Sequence, residues 1–331
     1  MRAESANSRF VELIGRFAGK RVLAIGDLML DEFIWGRVSR ISPEAPVPVV
    51  NVTSETYYPG GAANVARNLR EFTGHVAIMG IAGADGPGQR LLALLHAAGI
   101  DTAGVLQDSI ATTTVKTRII ARNQQVVRVD RERHTVPNDS QLARALDYLE
   151  QAASEVDAIV VADYGKGFLT QPLADEICRL ARQHSKILTV DPHPYTSLVW
   201  RGATAVKPNR MEAFHVAGIP DLEDEGALRQ AAQKLLDLWQ PQSLLITLGE
   251  HGMWLFHGNA EPLHLPACAH EVFDVSGAGD TAIAVLTLAL ASGATPAEAA
   301  GLANRASGIV VGKVGTATVM AEELLRFCFT S

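Results

Sequence analysis

The chain has 331 residues, 47% of them hydrophobic and 20% charged, with a formal net charge of −7. That length and apolar content build a large core, which excludes global disorder, and the acidic balance excludes a generally nucleic-acid-binding surface. Cys178, Cys268 and Cys328 stand far apart, so neither a disulfide framework nor a zinc site is expected.

In chain order, the polar start Met1 to Arg9 lacks a secretory apolar core and no stretch approaches the roughly 20 apolar residues of a membrane span, so a cytoplasmic protein with a small partner is expected. A short helix over 10–17 precedes the apolar run 21–27, which ends in Gly26-Asp27 as a buried strand does when it opens onto a site. The same grammar recurs at 158–163, 187–191 and 243–249, with helical stretches at 141–153, 173–184 and 225–239 between them. Strand and helix therefore alternate as in an α/β, doubly wound, mostly parallel sheet, whose ligands bind beyond the strand carboxyl ends. Two regions break the alternation: 34–52, with Pro43, Pro46 and Pro48, and 113–130, rich in Val, Ile, Thr and Arg. Proline suits edge strands, so both are placed in a small β-lid inserted into a single domain spanning 1–331.

The segment from Asp274 to Thr281 sets Gly277, Ala278 and Gly279 before Asp280 and the apolar run 282–290. Small residues let backbone N–H groups approach an anion, and the run reads as the helix those groups begin. Its positive end would face a phosphate, with Asp280 placed to take the proton from a substrate hydroxyl; the plain alternative is an ordinary capped helix start. Gly60 and Gly61 before an Ala-rich helix start, with Asn64 one turn in and Asp31 shortly after the first strand, offer groups suited to sugar hydroxyls. Lys116, Arg118, Arg122 and Arg128 alternate with apolar residues around the polar turn Asn123-Gln124-Gln125; they form either a solvated face or a clamp for a substrate phosphate. Asn209 and Glu212 stand three apart at a strand-to-helix turn, either a capping box or a water-mediated Mg²⁺ site. Thr247, Gly249 and Gly252 end a strand where glycines make room for a nucleotide or turn a hairpin. Asn304 and Gly308 lie in a second small-residue helix, 302–311, that flanks an adenine or simply packs closely. Gly308 to Lys313 is not a P-loop: three residues separate its glycines where four are required, and Val314 stands where Ser or Thr must be.

Taken together, Gly26-Asp27 with Asp31, Gly60 to Asn64, Asn209 with Glu212, and Gly277 to Asp280 resemble the ordered signature of the ribokinase-like (PfkB) sugar kinases over nearly the whole chain. Within that family, the strings 39–50, 122–125 and Asp163-Tyr164-Gly165-Lys166-Gly167 resemble the D-glycero-β-D-manno-heptose 7-phosphate kinases of lipopolysaccharide core precursor synthesis. The resemblance implies a ribokinase-like fold, ATP and Mg²⁺, with Asp280 as base and the 277–280 amides as anion hole. It implies Asp31, Gly60, Gly61 and Asn64 on the sugar; Lys116 and Arg118 are the cations expected at its phosphate, and Asn123, Gln124, Asp163 and Lys166 are further expected substrate-binding residues. Asn209, Glu212, Thr247, Gly249, Gly252, Asn304 and Gly308 then fall near ATP, with Glu212 touching Mg²⁺ indirectly. It further implies a homodimer through the lid, and a monovalent cation near Asp274, Ser276 and Gly312. Some such kinases carry a fused nucleotidyltransferase with an H-x-G-H motif; this chain has none, so adenylylation is expected to need a separate protein. His193 departs from the pattern, where Lys follows the Pro of Asp191-Pro192 in many relatives. The alternatives are a kinase for another sugar, sugar phosphate or nucleoside, and a non-catalytic sugar-binding protein of the same fold.

Overall fold

The structure, a computed structural model, describes residues 2–330 apart from 123, 223, 270, 271 and 314. Helix α1 (Arg2–Gly15) leads into β1 (Arg21–Gly26), β2 (Leu28–Ile41), β3 (Pro48–Gly61) and α2 (Ala62–Arg70), followed by β4 (His75–Gly83), α3 (Gly86–Ala97) and β5 (Asp101–Asp108). Strands β6 (Thr114–Ala121) and β7 (Gln124–Arg131) precede α4 (Asp139–Glu155), β8 (Ala158–Ala162), α5 (Gln171–Gln183), β9 (Ile187–Asp191) and β10 (Ala205–Val206). The chain continues through α6 (Arg210–Ala217), α7 (Glu225–Trp239), β11 (Ser243–Thr247), β12 (Met253–His257) and β13 (Leu263–Leu265), and ends in α8 (Ala278–Ala291), α9 (Pro296–Val310) and α10 (Ala321–Thr330).

Nine strands form one sheet in the order β13-β12-β11-β10-β9-β8-β1-β4-β5. The seven from β11 to β5 run parallel, and β12 and β13 add an antiparallel edge. Strand β8 is buried throughout and β1 nearly so, because helices cover both faces and leave no side of the strand to water. Alternate residues serve opposite cores. Val22, Ala24 and Val160 face a cluster with α2, α8 and α9, while Leu23, Ile25 and Val161 face one with α4, α5 and α7. Helix α8 is buried all round from Thr281 to Leu290, as a uniformly apolar helix must be. Among the described residues no helix is long and apolar enough to cross a membrane.

Register brings the polar strand ends level. Gly26 pairs with Ala162 and Ala162 with Asp191, so Asp27, Asp163 and Asp191 arrive side by side at the carboxyl edge. The strands approach closely there, since a Cβ on Gly26 would lie 2.0 Å from the Ala162 carbonyl oxygen.

The two segments that broke the alternation form a separate four-stranded sheet, β3-β2-β6-β7. Its pairs β2–β3 and β6–β7 are antiparallel, and β2–β6 is parallel. Strands β2 and β3 are longer than the segment 34–52. They start one residue after β1 and end where α2 begins, with Leu28 opposite Gly61. Continuous pairing extends them inward to the carboxyl edge of the main sheet, and the prolines fall in the β2–β3 turn or on the edge strand β3, where a missing N–H costs no ladder bond.

Candidate active site

The sharpest local constraint is the start of α8. Gly277 takes a left-handed conformation (φ 82°) as its N-cap, and a Cβ there would sit 3.2 Å from Asn64 Nδ2. No side chain caps this helix. Thr281 N–H donates to the Gly277 carbonyl at 2.9 Å and Ala278 N–H to that of Val275 at 3.3 Å, while the amides of Gly279 and Asp280 have no partner among the described residues. Orphan N–H groups and the helix dipole thus make an anion-receptive end. The preceding loop is tied down by Asp274, whose carboxylate accepts from Ser276 N–H at 2.9 Å and Gly315 N–H at 3.2 Å.

Around this end the strand tips supply acids, each matched to a partner. Asp280 accepts from Asn64 Nδ2 at 2.6 Å through Oδ2 and from the Tyr164 hydroxyl through Oδ1. Burial pushes its pKa up to about 6, with those two hydrogen bonds pulling the other way. Asp191 pairs with Lys207 at 2.9 Å; burial likewise lifts it to about 6 against the pull of the ammonium. Burial opposes the Lys207 charge, but Asp191, Glu212 and Asp280 outweigh it and hold the ammonium above the ordinary lysine range. A Cβ on Gly279 would lie 3.6 Å from Lys207 Nζ, so this cation sits just under the open helix end. Asp27 is buried and accepts three backbone N–H groups, from Tyr164 and Lys166 at 3.0 Å and Phe168 at 3.2 Å. Asp163 is raised to about 6 by burial and accepts from Gly165 N–H and the Thr196 hydroxyl.

The resulting cleft holds about 620 Å³. Asp31, Gly61, Asn64, Lys116, Arg118, Asp163, Asn209, Glu212, Gly277, Gly279 and Asp280 line it. A neighbouring cavity of about 530 Å³, walled mostly by apolar surface, contains Gly252, Ala278, Asn304 and Gly308. The two share Thr247 and Gly249. A polar cleft and an apolar annex meeting at an open helix end suit a ligand with a flat apolar base at one side and anionic groups in the middle.

Some expected residues sit otherwise. Gly60 lies behind the wall, where a Cβ would come within 2.4 Å of Asp31 Oδ2. The Lys166 ammonium pairs with Glu132 at 2.7 Å and lines a different, much smaller cavity. Gln124 is exposed at the start of β7, away from both cavities, and Asn123 lies outside the described residues. Arg118 spends its charge on Asp31, in an ion pair with side chains 16% and 8% exposed, and its guanidinium lies 5.2 Å from the Phe33 ring centre. Lys116, by contrast, has no ion-pair partner among the described residues, and burial, then nearby Lys166, depress its pKa. Asn209 and Glu212 do form a reciprocal capping box, at 2.9 and 2.7 Å. Glu212 Oε2 takes the Asn209 N–H, Oε1 carries no hydrogen bond among the described residues, and burial raises the carboxyl's pKa. Asn304 donates to the Pro266 carbonyl at 2.7 Å, and Gly308 packs against the Cys268 backbone.

Sequence reasoning passed over Lys207, Asp191, Tyr164 and Asp27 as site members. The three acidic or basic ones stand at or just beyond strand carboxyl ends, a signal that was available, whereas nothing local marks Tyr164 as a neighbour of Asp280, 116 residues away. Removing Arg118 leaves the Asp31 carboxylate buried and unpaired, so Arg118→Ala is expected to cost about 3 kcal/mol of stability. Adding Asp31→Ala should recover part of that loss in a urea-denaturation double-mutant cycle. Strictly additive effects would mean the pair is not coupled.

Residues 20–323 match the family profile described as "pfkB family carbohydrate kinase". "Bifunctional protein HldE" of Desulfatibacillum aliphaticivorans is 44% identical over 324 residues, covering 98% of this chain and 65% of that protein. The protein of the same name from Geobacter sulfurreducens is 44% identical over 95% of this chain and 64% of its own length. The chain therefore spans slightly under two thirds of the curated relatives it matches. Among solved structures, Arabidopsis thaliana ribokinase complexed with ribose and ATP superposes with a TM-score of 0.71 at 17% identity, over 94% of this chain and 99% of that one. Escherichia coli phosphofructokinase-2 in complex with potassium gives 0.74 at 17% identity, over 94% and 98%. These two likenesses establish the fold as ribokinase-like.

Proposed function

This chain belongs to the pfkB family of carbohydrate kinases, and on that premise we propose that it transfers the γ-phosphoryl group of ATP to the 1-hydroxyl of D-glycero-β-D-manno-heptose 7-phosphate. The observation that carries the reading is the meeting of a partly desolvated carboxylate, Asp280, with the uncapped end of α8 at the junction of a polar cleft and an apolar cavity. The choice of sugar rests on the strings 39–50, 122–125 and 163–167 and on relatives 44% identical over nearly the whole chain.

In this reading the adenine enters the apolar cavity beside Asn304 and Gly308, and the phosphates run past Thr247 and Gly249 to the amides of Gly279 and Asp280. The sugar lies over Asp31, Gly61, Asn64 and Asp163. Asp280 takes the proton from the attacking hydroxyl, and the helix end with Lys207 beneath it meets the charge on the transferred group. Lys116 is the cation left for the sugar's own phosphate, since Arg118 is committed to Asp31. Mg²⁺ would suit oxygen donors as a hard cation; Glu212, whose Oε1 carries no hydrogen bond among the described residues, would be the carboxylate to hold it through water, and the ion would supply neutralisation of nucleotide phosphate charge. A monovalent cation near Asp274, Ser276 and Gly312 belongs to the same proposal; turnover in KCl against NaCl tests it, and equal rates would dismiss it. The four-stranded sheet would act as the lid of a single domain and as the seat of a second copy, because β7 is exposed along its whole length, valines included.

A coupled ADP-release assay tests the reading, with heptose 7-phosphate and fructose 6-phosphate side by side and Mg²⁺ present or chelated. Asp280→Asn should lower turnover by ~10²–10⁴ with sugar binding retained; wild-type turnover would remove Asp280 from the mechanism. Because the base acts only as carboxylate, kcat should rise as pH climbs through about 6 and level off above it, and a flat profile from pH 5 to 8 would contradict that role. Lys116→Ala should raise KM for the phosphorylated sugar tenfold or more, on the order expected for a charged contact, and leave KM for ATP nearly unchanged. Equal shifts in both would count against it. Sedimentation should find twice the chain mass, and aspartates at Val127 and Val129 should return the protein to monomer; a wild-type monomer would end the lid-interface proposal.

A further inference from the structure

We propose that Tyr164 is a positioning residue for this reaction, its hydroxyl locking the Asp280 carboxylate in the orientation from which it receives the substrate's proton. The inference rests on Asp280 being the base. A carboxylate held at one oxygen swings about its terminal torsion, whereas one held at both does not. Asn64 holds Oδ2 and Tyr164 holds Oδ1, and each oxygen keeps a second lone pair for the incoming hydroxyl. Both partners are themselves fixed. Asn64 is buried in the first turns of α2, which packs on α8 through the Thr281–Asn68 hydrogen bond of 2.7 Å. Tyr164 sits in the β8–α5 loop, where Asp27 gathers the N–H groups of residues 164, 166 and 168 and Asp163 takes that of Gly165. The loop is thus a rigid bracket between the strand tips and the base.

The direction of the hydrogen bond is settled by the surroundings. Burial, followed by the negative charges of Asp280, Asp191 and Asp31, holds the Tyr164 proton far above the usual tyrosine range, so the phenol is a donor at every working pH and never a rival base. The groups facing Asp280 are Asn64 from α2, Tyr164 from the bracket loop, Asp191 from β9 and Lys207 after β10. Asp191 and Lys207 neutralise one another at 2.9 Å, which leaves the Tyr164 and Asn64 donors as the chief uncompensated support for the ionised base. The Lys116 ammonium lies 6.0 Å from the Tyr164 ring centre.

The test compares kcat and both KM values from pH 5 to 9 for wild type, Tyr164→Phe and Asp280→Asn. Losing one hydrogen bond to a charged acceptor should lower the Phe variant's plateau kcat by roughly 10–100-fold and move its acid limb up by about one pH unit. Both KM values should stay within about threefold, a split that general misfolding does not produce. Installing 3-fluorotyrosine at position 164, which keeps the shape and strengthens the donor, should move the limb down; this variant decides the matter if the Phe variant does not fold. An inactive Asp280→Asn together with wild-type limbs in both Tyr164 variants would overturn the inference alone. A fully active Asp280→Asn would overturn the base assignment and the inference with it.

Discussion

A carboxylate taken out of water must be given a partner, and the cleft of this protein is organised by five that are. Asp27 is met by three backbone amides, Asp31 by Arg118, Asp163 by a hydroxyl and an amide, Asp191 by Lys207, and Asp280 by Tyr164 and Asn64. An unpaired ionised group in such a place costs several kcal/mol, so each pairing restricts where its two segments can lie. Together they connect the tips of β1, β8 and β9, the first turns of α2 and α8, and the small sheet.

The pairings also divide labour. Asp27, Asp163 and the Asp31–Arg118 pair shape backbone and walls, because their charges are consumed internally. Asp280 differs. Its neighbours are neutral donors and an already matched ion pair, so its charge remains available while burial makes it a better base than an exposed aspartate. In the proposed mechanism, chemistry and architecture therefore use the same residue type. Among the cations, Arg118 and Lys166 are each occupied by a carboxylate, whereas Lys116 has none among the described residues.

The small sheet follows from how the chain leaves β1. One residue separates β1 from β2, and β3 runs directly into α2 at Gly61, so the sheet is anchored by two strands rooted in the site itself. Movement of this sheet as a unit would move Asp31, Gly61, Lys116 and Arg118 together, since all four belong to it. Asp280, on α8, would stay with the main body.

Much of this was written in local residue order. Apolar runs ending in Gly or Asp marked β1, β8, β9 and β11, and an apolar run following small residues marked α8, because strand burial and helix starts are decided within a few residues. The same local signals brought out Asp280, Asn64, Asn209 and Glu212, and the Gly and Asn residues of the apolar cavity. What only tertiary structure decided is who partners whom. Arg118 and Lys116 look alike two residues apart on one strand and both line the cleft, yet one is neutralised by Asp31 on β2 and the other has no carboxylate partner among the described residues. Lys166 and Gln124 carried the right chemistry but lie off the walls. Tyr164 became the neighbour of Asp280 only when β8 and α8 were brought together. Charge, size and periodicity are properties of a residue and its near neighbours, while the state of a charge depends on what the fold places opposite it.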